Sequence, residues 1–263
     1  MIADNTVECL TKWFIDYAGS FSSDDPDIQF NLTLKKDHTF RVVEETVAIA
    51  AALELPESDR NIARIAALMH DVGRFKQYAH YRTFVDRDSV DHALLALDIL
   101  RTMAVLEPLE MHDRELVLTA IEHHNQAMVP DSLSEREGFF CRLLRDADKL
   151  DIMRILTDRY RTAAQGVKSA VALLLPQGEG ISPEALADLM AGGIVKFSHV
   201  HKADDFKLLQ MAWVFDMNFI PSLRLFRERG YLEALKDALP RTKEVAAAYE
   251  FVNAELEKRA GKE

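Results

Sequence analysis

The sequence has few cysteines and no long apolar run. Its two cysteines, Cys9 and Cys141, lack the CxxC spacing of a zinc or redox motif and provide no disulfide framework, which suits a reducing compartment. No uninterrupted apolar run approaches the roughly 20 residues that a membrane-spanning helix needs. The acidic N-terminus lacks the basic-then-apolar pattern of a signal peptide. We therefore expect a cytoplasmic protein with no membrane partner.

The sequence also lacks an excess of basic residues. Its 43 acidic and 32 basic side chains give a net charge of -11, and no basic run or stripe stands out. A surface that binds a nucleic-acid polymer needs such a positive patch, so we exclude that class of partner. Hydrophobic residues make up 48% of the 263 positions, which is enough for a sizeable core.

Alternation of apolar and polar residues with a period of two is almost absent, and there is no internal repeat. Apolar residues instead recur every three or four positions, which predicts an all-α fold. Ser58 or Asp59 and, further on, Ser89 are predicted helix caps. Helices are predicted at about 6–20, 37–55, 58–70 (ending at Gly73), 89–106, 112–124, 139–164, 184–190, 205–229, 231–239 and 242–259. The segments 75–88 and 175–183 are predicted loops, and the whole chain, 1–263, is predicted to form a single helical domain.

The stretch from Met69 to Phe75 places His70 directly before Asp71 at the end of an apolar helical run. Imidazole and carboxylate groups are good ligands for divalent metals. Other residues of these two types fall on the apolar faces of predicted helices. A lone inward histidine is usually an ordinary core residue, but buried carboxylates cost free energy that a shared cation would offset. The candidate metal ligands are His38, His70, Asp71, His92, His123, His124 and Asp148.

The ordered set of motifs resembles the HD-domain superfamily of metal-dependent phosphohydrolases. The matching pieces are His38 in Asp-His-Thr-Phe-Arg-Val, then His70-Asp71 in His-Asp-Val-Gly-Arg-Phe, and Asp148 in Asp-Ala-Asp-Lys-Leu-Asp. They cover about residues 33–155 and imply a multi-helix HD-domain-like bundle. The helices at about 160–263 would form a C-terminal extension that the resemblance does not explain.

The resemblance implies that His38, His70, Asp71 and Asp148 hold a first metal. Members with two metals add histidines from the intervening helices, where this chain has His92 and the adjacent pair His123-His124. Of the pair, we favour His124 because it continues the apolar stripe of its helix, whereas His123 is rotated from it by about 100°. The cofactor is then one or two divalent ions, with Fe, Mn, Ni, Co and Zn all compatible with such ligands.

This set predicts a phosphohydrolase that cleaves a phosphate ester or anhydride of a small phosphorylated substrate, a nucleotide among the candidates, by metal-activated hydroxide. Asp71 would bridge the ions. Arg74 would grip a phosphate oxygen or else form a surface ion pair. Lys149 is a second phosphate candidate, and Lys35 a weaker third.

Several residues around the predicted site have two interpretations. Tyr81 and Phe84 would stack on a base or sugar or only pack between helices. Asp86 and Asp88 would orient His92 or cap the next helix, and we favour the cap. The apolar stretch from Met211 to Met217 would be helical core or a homodimer contact.

Two other functions remain open. HD-domain oxygenases use a similar six-ligand set around two irons, and the presence of both His92 and His124 is compatible with one. A non-catalytic module that binds a ligand through a degenerate HD fold is the third interpretation. The complete ligand set argues against it, because a decayed site would be expected to have lost members.

Overall fold

The structure is a computed structural model that describes residues 4–163, 178 and 180–261. The all-α prediction is confirmed: within these ranges the secondary structure is helical and contains no strand. The main helices are α1 (Asp4–Gly19), α2 (Pro26–Ala52), α3 (Glu57–Met69), α4 (Val72–Tyr81), α5 (His92–Thr102), α6 (Met111–His123), α7 (Glu135–Ala163), α8 (Pro183–Met190), α9 (Ala203–Asp216), α10 (Ile220–Glu228), α11 (Tyr231–Asp237) and α12 (Lys243–Ala260). None of the described helices is both long enough and apolar enough to span a membrane.

The chain divides into two compact units, Met1–Asp148 and Lys149–Glu263. The division falls within the sequence of α7. It lies close to the predicted end of the HD-like core near 155. This division does not test the predicted single domain over 1–263, which stays a prediction.

In the first unit, α3 packs against α1, α2 and α6, while α4 packs against α5. The apolar residues of α3 recur at helical spacing, and Ile62, Ile65 and Met69 are fully buried. Phe14 of α1 meets Phe75 of α4 edge to face, with ring centroids 5.8 Å apart. This core holds the ends of α3 and α4, and therefore the His70-Asp71 junction, in the interior.

Helix α2 begins eleven or twelve residues before its predicted start at 37 or 38. The Asp25 side chain accepts hydrogen bonds from the backbone N–H groups of Asp27 and Ile28, and Pro26 occupies the first turn. A proline in this position lacks only an N–H that the helix does not use. The end of the run at 22–26, which precedes the predicted helix start, therefore begins the helix.

The predicted loop at 75–88 is wrong for its first half, because α4 runs through Tyr81. Its aromatic and charged composition concealed a helical repeat in which Phe75 and Tyr78 are buried one turn apart. Gly73, predicted to end a helix, lies in the first turn of α4. The helix ends instead at Arg82, whose left-handed backbone (φ 56°) closes the last turn.

Helix α5 is shorter at both ends than the prediction of 89–106. Its N-cap is Asp91, whose side chain accepts from the N–H groups of Ala93 and Leu94, so the predicted cap at Ser89 is wrong. The hydroxyl of Ser89 instead donates to the carbonyl of Val85. The correction matters for the site, because it makes His92 the first residue of the helix.

In the second unit, the helix predicted over 205–229 is two helices, α9 and α10, the latter with Pro221 in its first turn. Within the stretch predicted as core or dimer contact, Met211, Ala212 and Val214 of α9 are fully buried. This burial favours the core interpretation. Of the predicted loop at 175–183, residues 175–177 and 179 lie outside the described residues, whereas 178 and 180–182 are non-helical and α8 begins at Pro183.

Candidate metal centre

Six side chains of metal-ligand type meet inside the first unit, and the ends of several helices bring them together. They are His38 on α2, His70 and Asp71 between α3 and α4, His92 at the start of α5, His124 just after α6, and Asp148 on α7. The four histidines and Asp71 are at most 6% exposed. The Asp148 side chain is 17% exposed, so the cluster has an edge that reaches solvent.

One part of the cluster comprises His38, His70 and the two aspartates. The Nε2 atoms of His38 and His70 each lie 3.6 Å from Asp71 Oδ2. From Asp148 Oδ1 they lie 3.1 and 3.9 Å away, respectively. His38, His70 and Asp71 each offer a ligand atom within 4.8 Å of the others, as do His70, His124 and Asp148.

The other part contains His92 and His124 and shares the same aspartate. Asp71 Oδ1 lies 3.5 Å from His92 Nε2, and the Nε2 atoms of His92 and His124 are 3.0 Å apart. These three residues also form a group with ligand atoms within 4.8 Å of one another. Asp71 therefore directs one carboxylate oxygen toward each part, as a bridging ligand between two ions would.

The outer nitrogens of three histidines determine which ring nitrogen is available. Nδ1 of His70 lies 2.7 Å from the carbonyl of Ala67, and Nδ1 of His124 lies 2.7 Å from the carbonyl of Ile121. A carbonyl only accepts, so each Nδ1 must carry the proton. Nδ1 of His92 lies 2.6 Å from Asp86 Oδ2, an acceptor of the same kind. In the neutral rings, all three Nε2 atoms are then unprotonated and present lone pairs to the cluster.

This arrangement fits a divalent metal. His70 Nε2 is buried and has no hydrogen-bond partner among the described residues. The lone pairs of His92 and His124 face each other at 3.0 Å with no proton left to place between them. Buried acceptors without donors are costly, and a shared cation would satisfy them.

Burial lowers the pKa of His92 and of His124 to about 4, and the charges of Arg74 on the former and His70 on the latter act in the same direction. Burial alone would raise the pKa of Asp71. The nearby positive groups, Lys35 first, outweigh it and hold that pKa well below its ordinary value. These shifts keep the imidazoles of His92 and His124 neutral and the carboxylate of Asp71 ionised, which is the protonation state that metal binding requires.

Asp86 supports the cluster from outside. Besides accepting from His92, its carboxylate accepts from Arg74 Nη1 at 2.8 Å and from Gln77 Nε2 at 2.9 Å. Asn125 Nδ2 approaches the same carboxylate at 3.4 Å. We had favoured a helix cap for Asp86, but Asp91 is the cap, and Asp86 orients His92 instead.

Arg145, a buried residue of α7, supports the opposite side of the cluster. Its Nη1 donates to the carbonyl of Gln126 and lies 3.3 Å from that of His124, and its Nη2 donates to Ala127 at 3.2 Å. These carbonyls belong to the turn that follows α6. The guanidinium therefore fixes His124 against the helix that carries Asp148, three residues after Arg145.

The predicted substrate-binding side chains occupy different environments. The Nε and Nη1 groups of Arg74 donate hydrogen bonds inside the protein. One acceptor of Nη1 is the carbonyl of Phe84, at 2.6 Å. The ring of Phe84 stacks on Tyr78 with centroids 4.6 Å apart. The side chain of Tyr81 is 49% exposed. The substrate-binding roles of Arg74, Tyr81 and Phe84 stay predictions.

Lys149 and His123 complete the set of predicted site residues. Lys149 is buried and pairs with the carboxylate of Asp216, another residue of the second unit. His123 is a member of none of the metal-type groups found among the described residues, whereas His124 belongs to two of them. The geometry therefore favours His124 of the adjacent pair, as the apolar stripe predicted.

Gln77 and Asn125 were not predicted as site residues. Lys35, whose Nζ lies 2.8 Å from Asp71 Oδ2, was predicted only as a weaker third phosphate candidate. Lys35 had a usable signal, because it precedes His38 by three residues and so shares its helix face. Gln77 had none while its segment was predicted as a loop. Asn125 had no usable signal either, because it contacts Asp91, which lies 34 residues earlier in the chain.

A family model described as an HD domain matches residues 36–153. This range contains all six side chains of the cluster and agrees with the predicted extent of 33–155. Neither the comparison with curated proteins nor that with solved structures returns a match.

Proposed function

We propose that this chain, whose residues 36–153 match a family model described as an HD domain, hydrolyses a phosphate ester or anhydride of a small molecule, a nucleotide among the candidates. The observation that carries the proposal is the convergence of unprotonated Nε2 atoms on Asp71 and Asp148, with no hydrogen-bond partner for His70 Nε2 in the described part of the chain. A buried cluster of acceptors has little structural use without a cation.

The six side chains would hold one or two divalent ions, with Asp71 as the shared ligand. When bound, such ions lower the pKa of a coordinated water toward neutrality and polarise phosphoryl oxygens. The 17% exposed side chain of Asp148 marks the edge through which a small substrate would approach. Arg74 Nη2, which takes part in none of the bonds described above, is the group that we propose for a phosphate oxygen.

The test is phosphate release from a panel of phosphomonoesters, phosphodiesters and nucleotides, with Mn²⁺ or another divalent ion added. His70→Ala should abolish release while leaving the circular dichroism spectrum unchanged. The matched control is His112→Ala, since His112 is an exposed histidine outside the cluster. Full activity in His70→Ala would overturn the proposal.

A second candidate is oxidation of a small molecule by a di-iron form of the same site. The observation that favours it is the group formed by Asp71, His92 and His124, since a hydrolase with one metal does not need it. Oxygen consumption by the iron-loaded protein with candidate substrates, and no phosphate release from the panel, would favour the oxygenase. Absence of both activities would favour a ligand-binding module.

A further inference from the structure

Lys35 directly contacts Asp71, one of the candidate metal ligands. It lies on α2 one turn before His38, and its Nζ is 2.8 Å from Asp71 Oδ2. Its second neighbour is the ring of Phe84, whose centroid is 5.4 Å from Nζ. The Lys35 side chain is 19% exposed, so it lies at the rim of the cluster and not in its centre.

The oxygen that Lys35 contacts is the one that a metal would use. Asp71 Oδ2 also faces the Nε2 atoms of His38 and His70, each at 3.6 Å. An ion bound by these three atoms would place a double positive charge within a few ångströms of the ammonium. Two positive charges so close repel each other strongly where solvent is scarce.

The Lys35–Asp71 ion pair and a metal on Asp71 Oδ2 are therefore competing uses of one carboxylate oxygen. A long, flexible lysine side chain can leave this contact without moving the helix. The Phe84 ring would keep the ammonium at the rim, because an aromatic face attracts a cation. Lys35 would then carry a positive charge beside the metal with no carboxylate to balance it.

We propose that Lys35 exchanges Asp71 for a phosphoryl oxygen of the substrate when the metal is bound. This inference rests on the proposed function and narrows its substrate class. Divalent ions together with an unbalanced ammonium favour an anion of high charge density. The substrate class is thus a phosphomonoester, whose terminal phosphoryl group is a dianion near neutral pH, in preference to a singly charged phosphodiester.

The experiment measures binding without turnover, using Mn²⁺ alone and then inorganic phosphate added to the Mn²⁺-loaded protein, both by titration calorimetry. Lys35→Met should bind Mn²⁺ at least as tightly as the unchanged protein, because a competing cation is gone. It should bind phosphate at least tenfold more weakly.

The matched control Lys36→Met removes the neighbouring ammonium, which points about 100° away, and should leave both affinities unchanged. Lys35→Gln is the second variant should Lys35→Met fold poorly.

Two results would overturn the exchange. Unchanged phosphate affinity in both Lys35 variants would show that the ammonium does not contact phosphate, and weaker Mn²⁺ binding would show that Lys35 serves only to order Asp71. The proposed function fails differently. If phosphate binds in a Lys35-dependent way but no phosphate ester is cleaved, the exchange stands and the hydrolase proposal falls.

Discussion

Asp86 lies outside the set of candidate ligands but sets the orientation of one of them, His92. Asp86 Oδ2 accepts the Nδ1–H of His92, which leaves Nε2 unprotonated toward the cluster, while Oδ1 accepts from Arg74 and Gln77. Asp86→Asn places an amide N–H₂ among these donors and removes the negative charge. We expect Mn²⁺ affinity to fall by roughly 10- to 100-fold, the usual effect of losing such a partner.

Asp88→Asn is the control for this substitution, because Asp88 is exposed two residues away and pairs only with Arg87 among the contacts of the described chain. Titration of both variants with Mn²⁺ provides the comparison. Equal affinities in the two variants would mean that Asp86 does not orient His92.

The buried histidines also predict how the metal-free protein responds to pH. Burial lowers the pKa of His92 and His124 from 6.5 to about 4, so between these values the unfolded chain binds protons that the folded chain does not. Stability should be full above about pH 6.5 and fall as the pH drops toward 4. The slope approaches about 1.4 kcal/mol per pH unit for each histidine.

Urea denaturation of chelator-treated protein at several pH values across this window measures the effect. His92→Gln should flatten the profile, because it removes one of the buried histidines whose pKa is lowered. A stability that stays constant between about pH 7 and pH 5 would contradict the proposed burial of neutral imidazoles.

The convergence of these histidines and aspartates was partly predictable residue by residue, and the contacts that support the cluster were not. His124 could be chosen over His123 because the apolar stripe of α6 is local information. The predicted caps were Ser89 and Asp86 or Asp88 and not Asp91, because serine and aspartate are both good N-caps and all four residues lie shortly before His92. The decisive contacts, from Asp86 to Arg74 and Gln77, depend on the phase of a helix that composition alone did not reveal.

Helices α4 and α5 meet at a contact that only glycine permits. A Cβ added to Gly73 would lie 2.2 Å from the carbonyl oxygen of His92 and 2.9 Å from the N atom of Ala96, both backbone atoms. Gly73→Ala should force the helices apart and destabilise the protein by about 1–3 kcal/mol. Because His92 begins α5, Mn²⁺ binding should weaken as well.

Gly19→Ala is the matched control, since nothing lies within 4 Å of the Cβ it would add. Chemical denaturation and Mn²⁺ titration of the two variants give the two readouts. If Gly73→Ala were as stable as Gly19→Ala, the close approach of α4 to α5 would be incorrect.

The element boundaries that were predicted wrongly share a physical cause. Asp25-Pro26 is a turn signal and a helix-start signal at once, and only the downstream packing of α2 decides between them. Likewise, α4 carries few aliphatic residues, so its helical period was concealed until Phe75 and Tyr78 were seen to pack inward. Long aliphatic helices such as α3 were predicted well because their periodicity is local.

At the scale of the whole molecule, the match to an HD-domain family model covers residues 36–153 and leaves most of the second unit without an assigned role. The helical character of that unit was predictable from its periodicity. Its function was not, because a packed helical core such as that around Met211 carries no pattern that distinguishes support from binding. The homodimer likewise stays a prediction.

Metal binding should stabilise the folded chain as a whole, since the unfolded chain has no assembled cluster. At a free Mn²⁺ concentration 100 times the dissociation constant, the gain is about 2.7 kcal/mol. The thermal midpoint should therefore rise with Mn²⁺ and return to its starting value with chelator. In His70→Ala the rise should be largely lost, and an equal rise there would point to metal bound elsewhere.

The most direct test of the central claim is the number of metal atoms per chain, measured by elemental analysis of protein purified without chelator or a histidine tag and then reconstituted. We expect one or two divalent ions per chain in the unchanged protein and in His112→Ala, and two if Asp71 bridges them. We expect a clear loss in His70→Ala. A chain that holds no metal after reconstitution, or a His70→Ala variant that holds as much as the unchanged protein, would contradict the assignment of this cluster as a metal centre.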